Sequence, residues 1–137
     1  FRNCKVIHCK RNPIDICWSN YKNLFSSDKL NYSYNFSNLS SYYKHYENMM
    51  LYWSGLYKDR FYEIEYETLV KNKDEEVKKI INYLEIEWDE NCLNFHKNKR
   101  PVSTASLAQI RKPIYSSSVE KWKNYNVELT DLIKMLS

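Results

Sequence analysis

Residues 5–21 read K-V-I-H-C-K-R-N-P-I-D-I-C-W-S-N-Y and predict a strand that runs directly into a helix. The apolar run at residues 5–9 is typical of a buried, parallel strand. Asn12 can cap the helix, and Pro13 suits its first position, where a missing N–H group has no consequence. Bare N–H groups at such a helix start, with the positive end of the helix dipole, predict an anion site at this corner.

Arg11 and Ser19 are the candidate ligands of that anion. Arg11 ends the strand and carries a planar, permanently charged fork suited to bidentate phosphate binding. Ser19 lies about two turns from Asn12, so its hydroxyl can face the same corner. On local chemistry alone a plainer interpretation stays open, in which Arg11 is a surface arginine and Ser19 an exposed helix residue.

Strands and helices alternate along the rest of the chain, which indicates an α/β fold with a parallel sheet flanked by helices. The first helix is predicted to carry an apolar face that extends to Leu24 and Phe25. The later elements are predicted as a loop over 26–37, an aromatic helix over 39–57 with a broad buried face, a strand over 61–66, a helix that begins at Asp74, an irregular segment over 97–118 and a helix over 127–136.

Composition sets limits on the class of protein. With 137 residues and 43% apolar residues, the chain suits one folded domain rather than a disordered segment. It has one glycine, which excludes a Gly-rich phosphate loop within these residues. No apolar run approaches the ~20 residues of a membrane-spanning helix, so no membrane association is expected. The four cysteines show no paired spacing, which predicts reduced thiols and no metal site.

The net charge of +4 conceals a segregated pattern. Residues 1–58 carry eight basic and three acidic side chains, and residues 97–123 carry seven basic and one acidic. The segment between them, 59–91, carries five basic and eleven acidic side chains and reads as a solvated face. The two basic zones are candidates for anion binding, but their excess is smaller than a nucleic-acid binder usually shows.

The second candidate segment covers residues 100–125, R-P-V-S-T-A-S-L-A-Q-I-R-K-P-I-Y-S-S-S-V-E-K-W-K-N-Y. It offers the adjacent cations Arg111 and Lys112, several hydroxyls including that of Ser106, and the rigid Pro113. An ordered loop of this chemistry suits phosphate or sulfate oxygens. From composition alone a flexible, solvated Ser-rich loop remains an open alternative.

Four ordered blocks of the chain, residues 5–21, 62–70, 88–106 and 109–125, together resemble a known family. The chain resembles the C-terminal half of a sulfotransferase that uses 3′-phosphoadenosine 5′-phosphosulfate (PAPS). It looks most like bacterial sulfotransferases fused to tetratricopeptide repeats, which are related to tyrosylprotein sulfotransferases. The resemblance implies a partial P-loop-type fold, in which residues 1–137 form the C-terminal part of one sulfotransferase domain. The N-terminal half, with the 5′-phosphosulfate loop, would lie upstream.

The resemblance also implies roles for six residues. Arg11 and Ser19 match the positions that hold the 3′-phosphate of the cofactor, and Tyr66 matches a tyrosine near the adenine. Arg111 and Lys112 match a late loop that closes over the 3′-phosphate, and Ser106 looks like a further polar contact. Pro113 stands where many cytosolic relatives have glycine, a form that looks like the tyrosylprotein and repeat-fused branch.

The function implied is transfer of a sulfuryl group from PAPS to an acceptor hydroxyl or amine of unknown identity. No metal is expected. No catalytic base is assigned within the chain, because the family's His or Glu base lies upstream, so this part alone is expected to be inactive. His8 is expected to be structural, and Glu63, Glu65 and Glu67 to form a solvated or salt-bridged strand edge.

The sequence leaves two other functions open. A kinase-like nucleotide-binding module would also hold phosphate at a strand-to-helix corner. A basic, aromatic RNA-binding domain would need tyrosines exposed on a sheet face, whereas most tyrosines here recur at helical spacing. The expected location is the cytoplasm of a bacterial-type cell, with the Golgi lumen as the alternative because three N-x-S sequons lie at residues 31–40.

Overall fold

The computed structural model describes residues 4–25, 27–98 and 111–137. It confirms the mixed α/β class, with a parallel two-stranded sheet and flanking helices that fit part of a P-loop-like fold. The chain divides into two compact units. The sheet unit consists of the described parts of Phe1–Lys10 and Tyr62–Ser117, and the helical unit consists of the described parts of Arg11–Phe61 and Ser118–Ser137.

The sheet unit is built on strands β1, Val6–Lys10, and β2, Phe61–Glu65. Helix α3, Tyr66–Lys71, follows β2 directly and packs against helix α4, Lys73–Leu84. Short 3₁₀ helices follow at Glu90–Cys92 and Phe95–Lys97. The predicted strands and the helix near Asp74 are therefore confirmed, although Glu67 lies in α3 and not on the strand that was predicted to carry it.

Burial in the sheet unit is slight. Ile64 is the one buried apolar side chain among the unit's described residues. The prediction of a buried first strand is wrong for this chain, because Val6 and Ile7 are 37% and 39% exposed. Polar contacts are prominent instead: Lys5 Nζ donates to the Tyr83 carbonyl at 2.7 Å and pairs with the Glu85 carboxylate at 2.9 Å.

The helical unit contains helices α1, Pro13–Tyr21, α2, Phe36–Leu56, and α5, Thr130–Leu136. Helix α2 packs against both α1 and α5. Shorter 3₁₀ helices lie at Asp28–Tyr34, Lys58–Arg60 and Lys121–Tyr125. Together these elements enclose one apolar core, whose buried members are Cys17, Leu39, Tyr43, Leu129 and Leu132.

Two predictions about the helix boundaries of this unit are wrong. Helix α1 ends at Tyr21, so Leu24 lies beyond the helix and is 93% exposed. The predicted loop over 26–37 contains a 3₁₀ helix and the start of α2, which Asn35 caps by accepting a hydrogen bond from the Asn38 N–H at 3.1 Å. The Ser and Asn residues that suggested a loop therefore include a helix cap.

Helix α2 also buries a narrower face than predicted. Leu39, Ser40 and Tyr43 are its buried residues, all within the first half of the helix. The broad buried face predicted for this helix would include Tyr42, Met49 and Trp53, but these residues are 54%, 55% and 37% exposed.

Two glutamates have a left-handed backbone among the described residues, each with φ of 58°. Glu85 ends α4, and Glu120 precedes the 3₁₀ helix Lys121–Tyr125. The chain's one glycine, Gly55, instead lies within α2, and a Cβ atom added there would meet nothing within 4 Å.

Candidate functional site

The start of α1 forms as the sequence predicts. Asn12 is the cap, and its side-chain Oδ1 accepts hydrogen bonds from the Ile14 N–H at 3.0 Å and the Asp15 N–H at 3.1 Å. Pro13 occupies the first helical position and has no N–H to satisfy. The Asn12 carbonyl accepts the next donor, Ile16 N–H, at 3.1 Å.

The Asn12 cap alters how an anion could be bound at the start of α1. The sequence predicted bare amides that could bind an anion, but the amides of Ile14 and Asp15 are engaged by Asn12. The positive end of the helix dipole remains near Asn12, whereas the Ile14 and Asp15 amides are already engaged. The side chains at this corner are therefore the main candidates for contact with an anion.

Arg11 is the cationic side chain beside the cap. Its side chain is half-buried, and Nη2 donates a hydrogen bond to the Ser118 carbonyl at 2.8 Å. The two residues are 107 positions apart in the sequence and belong to the same unit. Because the guanidinium is planar, a bond at one Nη sets the directions in which its other N–H groups point.

Asp15 makes a second link to the same segment. Its side chain is 2% exposed, and Oδ2 accepts a hydrogen bond from the Glu120 N–H at 2.8 Å. Glu120 holds this position with its left-handed backbone, and its carboxylate pairs with Lys123. Arg11 and Asp15 thus hold residues 118–120 against the start of α1 from two points.

Ser19 lies on α1, as predicted, and is half-buried. Its carbonyl accepts a hydrogen bond from the Asn23 side chain at 2.8 Å. Ser19 and Asp15 are four residues apart and share one side of the helix, because an α-helix has about 3.6 residues per turn.

A pocket of about 450 Å³ lies against another side of α1, roughly 120° further round the helix. Its walls are largely apolar and come from α1 and α2: Ile16, Cys17, Asn20, Leu39, Tyr42, Tyr43, His45, Tyr46 and Met49. Burial raises the pKa of the Cys17 thiol to about 12, so the thiol stays protonated at neutral pH.

The other candidate ligands fall in the sheet unit. Tyr66 is half-buried and opens α3 at the end of β2, as the predicted tyrosine after a strand should. Arg111 is half-buried and Lys112 exposed, in a turn without helix or strand. Ser106 lies outside the described residues.

A histidine–carboxylate contact crosses the sheet. His8 Nδ1 and Glu63 Oε2 are 2.9 Å apart, and Lys10 Nζ lies 3.8 Å from Glu63 Oε1. The side chain of His8 is 10% exposed. This geometry fits the structural role expected for His8 and a salt-bridged Glu63.

The described residues contain neither a metal-binding cluster nor a membrane-spanning helix. No group of three or more His, Cys, Asp or Glu side chains is arranged to hold a metal ion there. No helix within residues 4–25, 27–98 and 111–137 is long and apolar enough to cross a bilayer. All four cysteines fall within these ranges and are free thiols.

Comparison with known proteins identifies the family of this chain. The model of the sulfotransferase family matches residues 1–90. The chain belongs to the sulfotransferase family. It is also 36% identical over 138 residues to an uncharacterized protein of Aquifex aeolicus (strain VF5), an alignment that covers 99% of this chain and 18% of the relative.

The sulfotransferase match includes three of the six candidate residues. It contains β1, α1, α2, β2, α3 and α4, and therefore Arg11, Ser19 and Tyr66. Ser106, Arg111 and Lys112 lie beyond residue 90. Their assignment depends on the resemblance alone, that of residues 88–106 for Ser106 and of residues 109–125 for Arg111 and Lys112.

Asp15 is the site residue that sequence reasoning missed in this sulfotransferase chain. The one available signal is an acidic residue in the first turn of a capped helix, which the helix dipole explains by itself. Its partner, Glu120, lies 105 residues away, and no local pattern identifies a backbone N–H as a partner.

Proposed function

We propose that this sulfotransferase chain binds the 3′-phosphate of PAPS and serves transfer of its sulfuryl group to an acceptor hydroxyl or amine. The observation that supports this most directly is the arginine at the end of β1. Arg11 is half-buried, is oriented by the Ser118 carbonyl, and lies beside the capped start of α1. A permanently charged fork held in one orientation suits a dianionic phosphate.

The residues present fit such a phosphate in a specific way. The first amides of α1 are engaged by Asn12, so Arg11 would supply the main charged hydrogen bonds and Ser19 a hydroxyl. A charged hydrogen bond contributes about 1.5–3 kcal/mol, more than a neutral one. Arg11 should therefore account for much of the preference for a nucleotide that carries a 3′-phosphate.

We assign roles to the remaining candidates on the resemblance. Tyr66 would lie near the adenine, and Ser106, Arg111 and Lys112 would contribute polar and cationic contacts to the 3′-phosphate. The basic excess of residues 97–123 is consistent with an anionic ligand.

PAPS, when bound, supplies the sulfuryl group and its leaving phosphate. This chain would contribute by binding the distant 3′-phosphate and adenine, which orients the cofactor. The catalytic base and the loop for the 5′-phosphosulfate are proposed to lie outside these residues. The family match favours this function over the kinase-like module.

The chain spans 18% of the length of the Aquifex aeolicus relative. We propose that the intact protein completes the sulfotransferase domain and also carries a tetratricopeptide-repeat region, with tyrosylprotein sulfotransferases as relatives. A Gly-rich loop with Lys and Ser or Thr after a strand is expected in the upstream sequence. An upstream sequence without such a loop would contradict this proposal.

Replacement of Arg11 by alanine in the intact protein tests the function. Calorimetry should show roughly ten- to a hundredfold weaker binding of 3′-phosphoadenosine 5′-phosphate (PAP), because one or two charged hydrogen bonds are lost. Binding of AMP, which lacks the 3′-phosphate, should change little. Arg60→Ala is the matched control, since Arg60 is a half-buried arginine of the same unit that lies over the Tyr57 ring.

The comparison of the two nucleotides separates the possible results. Equal losses for PAP and AMP would place Arg11 away from the 3′-phosphate. A native protein that binds PAP no better than AMP would overturn the proposed function itself.

A further inference from the structure

Arg11, Asp15, Ser118 and Glu120 form a closed set of contacts within the helical unit. Arg11 donates to the Ser118 carbonyl, and Asp15 accepts from the Glu120 N–H, both at 2.8 Å. Ser118 and Glu120 are two residues apart, and Arg11 and Asp15 are four apart. Each link therefore restricts the geometry of the other.

We propose that Asp15 is a positioning residue, which orients the guanidinium of Arg11 toward the 3′-phosphate by fixing residues 118–120. The inference rests on the proposed function. It assigns Asp15 no contact with the cofactor. Asp15 acts on the backbone at Glu120, that backbone places the Ser118 carbonyl, and the carbonyl sets the plane of the guanidinium.

The burial of Asp15 supports this role. A carboxylate that is 2% exposed requires compensating hydrogen bonds, because desolvation of a charged group is unfavourable. The Glu120 N–H supplies one such bond, and the N-terminal end of α1 is favourable for negative charge. If Asp15 is removed, the Glu120 N–H loses its acceptor.

The backbone of Glu120 gives a second reason. A left-handed conformation at a non-glycine residue is unfavourable and persists where surrounding contacts enforce it. The hydrogen bond to Asp15 is such a contact. Without it, residues 118–120 should relax, and Arg11 should lose its fixed acceptor.

The test uses Asp15→Ala and Asp15→Asn in the intact protein, with PAP and AMP as probes. Asp15→Ala should weaken PAP binding about tenfold with AMP binding nearly unchanged, since one oriented hydrogen bond is worth about that factor. Asp15→Asn keeps an oxygen that can accept from Glu120 and should restore most of the affinity for PAP. Asp131→Ala is the matched control, because Asp131 is an exposed aspartate in the first turn of α5.

A double-mutant cycle distinguishes positioning from a general loss of stability. If Asp15 acts through Arg11, Asp15→Ala should cause no further loss of PAP affinity in the Arg11→Ala protein. Hydrogen exchange at residues 118–123 without nucleotide should be faster in Asp15→Ala than in the native protein.

Three results would overturn the inference. The first is an Asp15→Ala protein that keeps its preference for PAP while the native protein shows that preference. The second is a loss of affinity that remains in the Arg11→Ala background, and the third is unchanged exchange at residues 118–123. A native protein without preference for PAP would instead overturn the proposed function, and the inference with it.

Discussion

The helical unit and the sheet unit differ in what holds them together. The helical unit has a continuous apolar core, in which Cys17 and Leu132 are fully buried. The described residues of the sheet unit bury one apolar side chain, Ile64, and make ionic contacts such as that between Lys5 and Glu85. A sheet of two strands is marginally stable by itself in water.

The difference indicates which part of the site is fixed by this chain's own packing. Arg11, Asp15 and Ser19 belong to the unit that has the core. Val6 and Ile7, by contrast, form an apolar strand segment that is exposed, and β1 has one strand neighbour among the described residues. We expect further strands of the intact domain to cover this apolar segment.

The largest effect is expected in the core of the helical unit. Leu132 is fully buried, so Leu132→Ala should lower the free energy of unfolding by about 2–5 kcal/mol through lost burial and a residual cavity. Urea unfolding, monitored by hydrogen exchange in α2, measures this loss of stability. Leu24→Ala, the same change at a 93% exposed position of the same unit, is the control and should have little effect. A small loss for Leu132→Ala would contradict a core-stabilised unit.

A loss of stability of intermediate size is expected at alkaline pH, where the Cys17 thiol begins to matter. Burial raises the pKa of Cys17 from 9.0 to about 12, so above pH 9.0 the unfolded chain releases a proton that the folded chain retains. The stabilisation from the protonated thiol is complete below pH 9.0 and is lost as pH rises toward 12, by up to about 1.4 kcal/mol per pH unit.

Unfolding titrations of the native protein and of Cys17→Ala should show this difference in slope. The native protein should lose stability more steeply with pH, because the variant lacks the buried thiol. Cys4→Ala removes an exposed thiol of the sheet unit and is the control. Identical slopes for native protein and Cys17→Ala would show that the thiol ionises as easily in the folded state.

The smallest effect is expected at an ion pair of the sheet unit. Glu85 is 82% exposed in its contact with Lys5, so Glu85→Gln should change the free energy of unfolding by about 0–1 kcal/mol. The change should shrink further in high salt, which screens exposed charges. Denaturation at two salt concentrations measures it, with the exposed Glu87→Gln as control. A loss as large as that of Leu132→Ala would remove the contrast between the units.

Local signals predicted the parts of the fold that local chemistry controls. The cap Asn12, the proline after it and the alternation of β2 all correspond to the structure. Where composition was used in place of a specific contact, the prediction was wrong: residues 26–37 look like a loop, yet Asn35 caps α2. The exposure of Leu24 follows from the end of α1 at Tyr21, which periodicity did not indicate.

The candidate site shows the same limit. Residue type and position suffice to propose Arg11, because an arginine between a strand and a capped helix has a recognisable chemistry. Asp15 acts through a contact with Glu120, 105 residues away, and such a contact exists only after the chain has folded. The roles of all six candidate ligands stay predictions: Arg11, Ser19, Tyr66, Ser106, Arg111 and Lys112.

The positions of Gly55 and Glu85 offer two substitutions that should raise the stability of the protein. Gly55 lies within α2, where glycine is about 0.8–1.0 kcal/mol less favourable than alanine, and an added methyl group would have space. Glu85 ends α4 in a left-handed conformation that glycine adopts without penalty. Gly55→Ala would remove the unfavourable helix propensity of glycine, and Glu85→Gly would remove the unfavourable left-handed glutamate. Both positions are far in sequence from Arg11 and Asp15. In a protein stabilised by these two substitutions, destabilising variants at Arg11 or Asp15 could be studied while still folded.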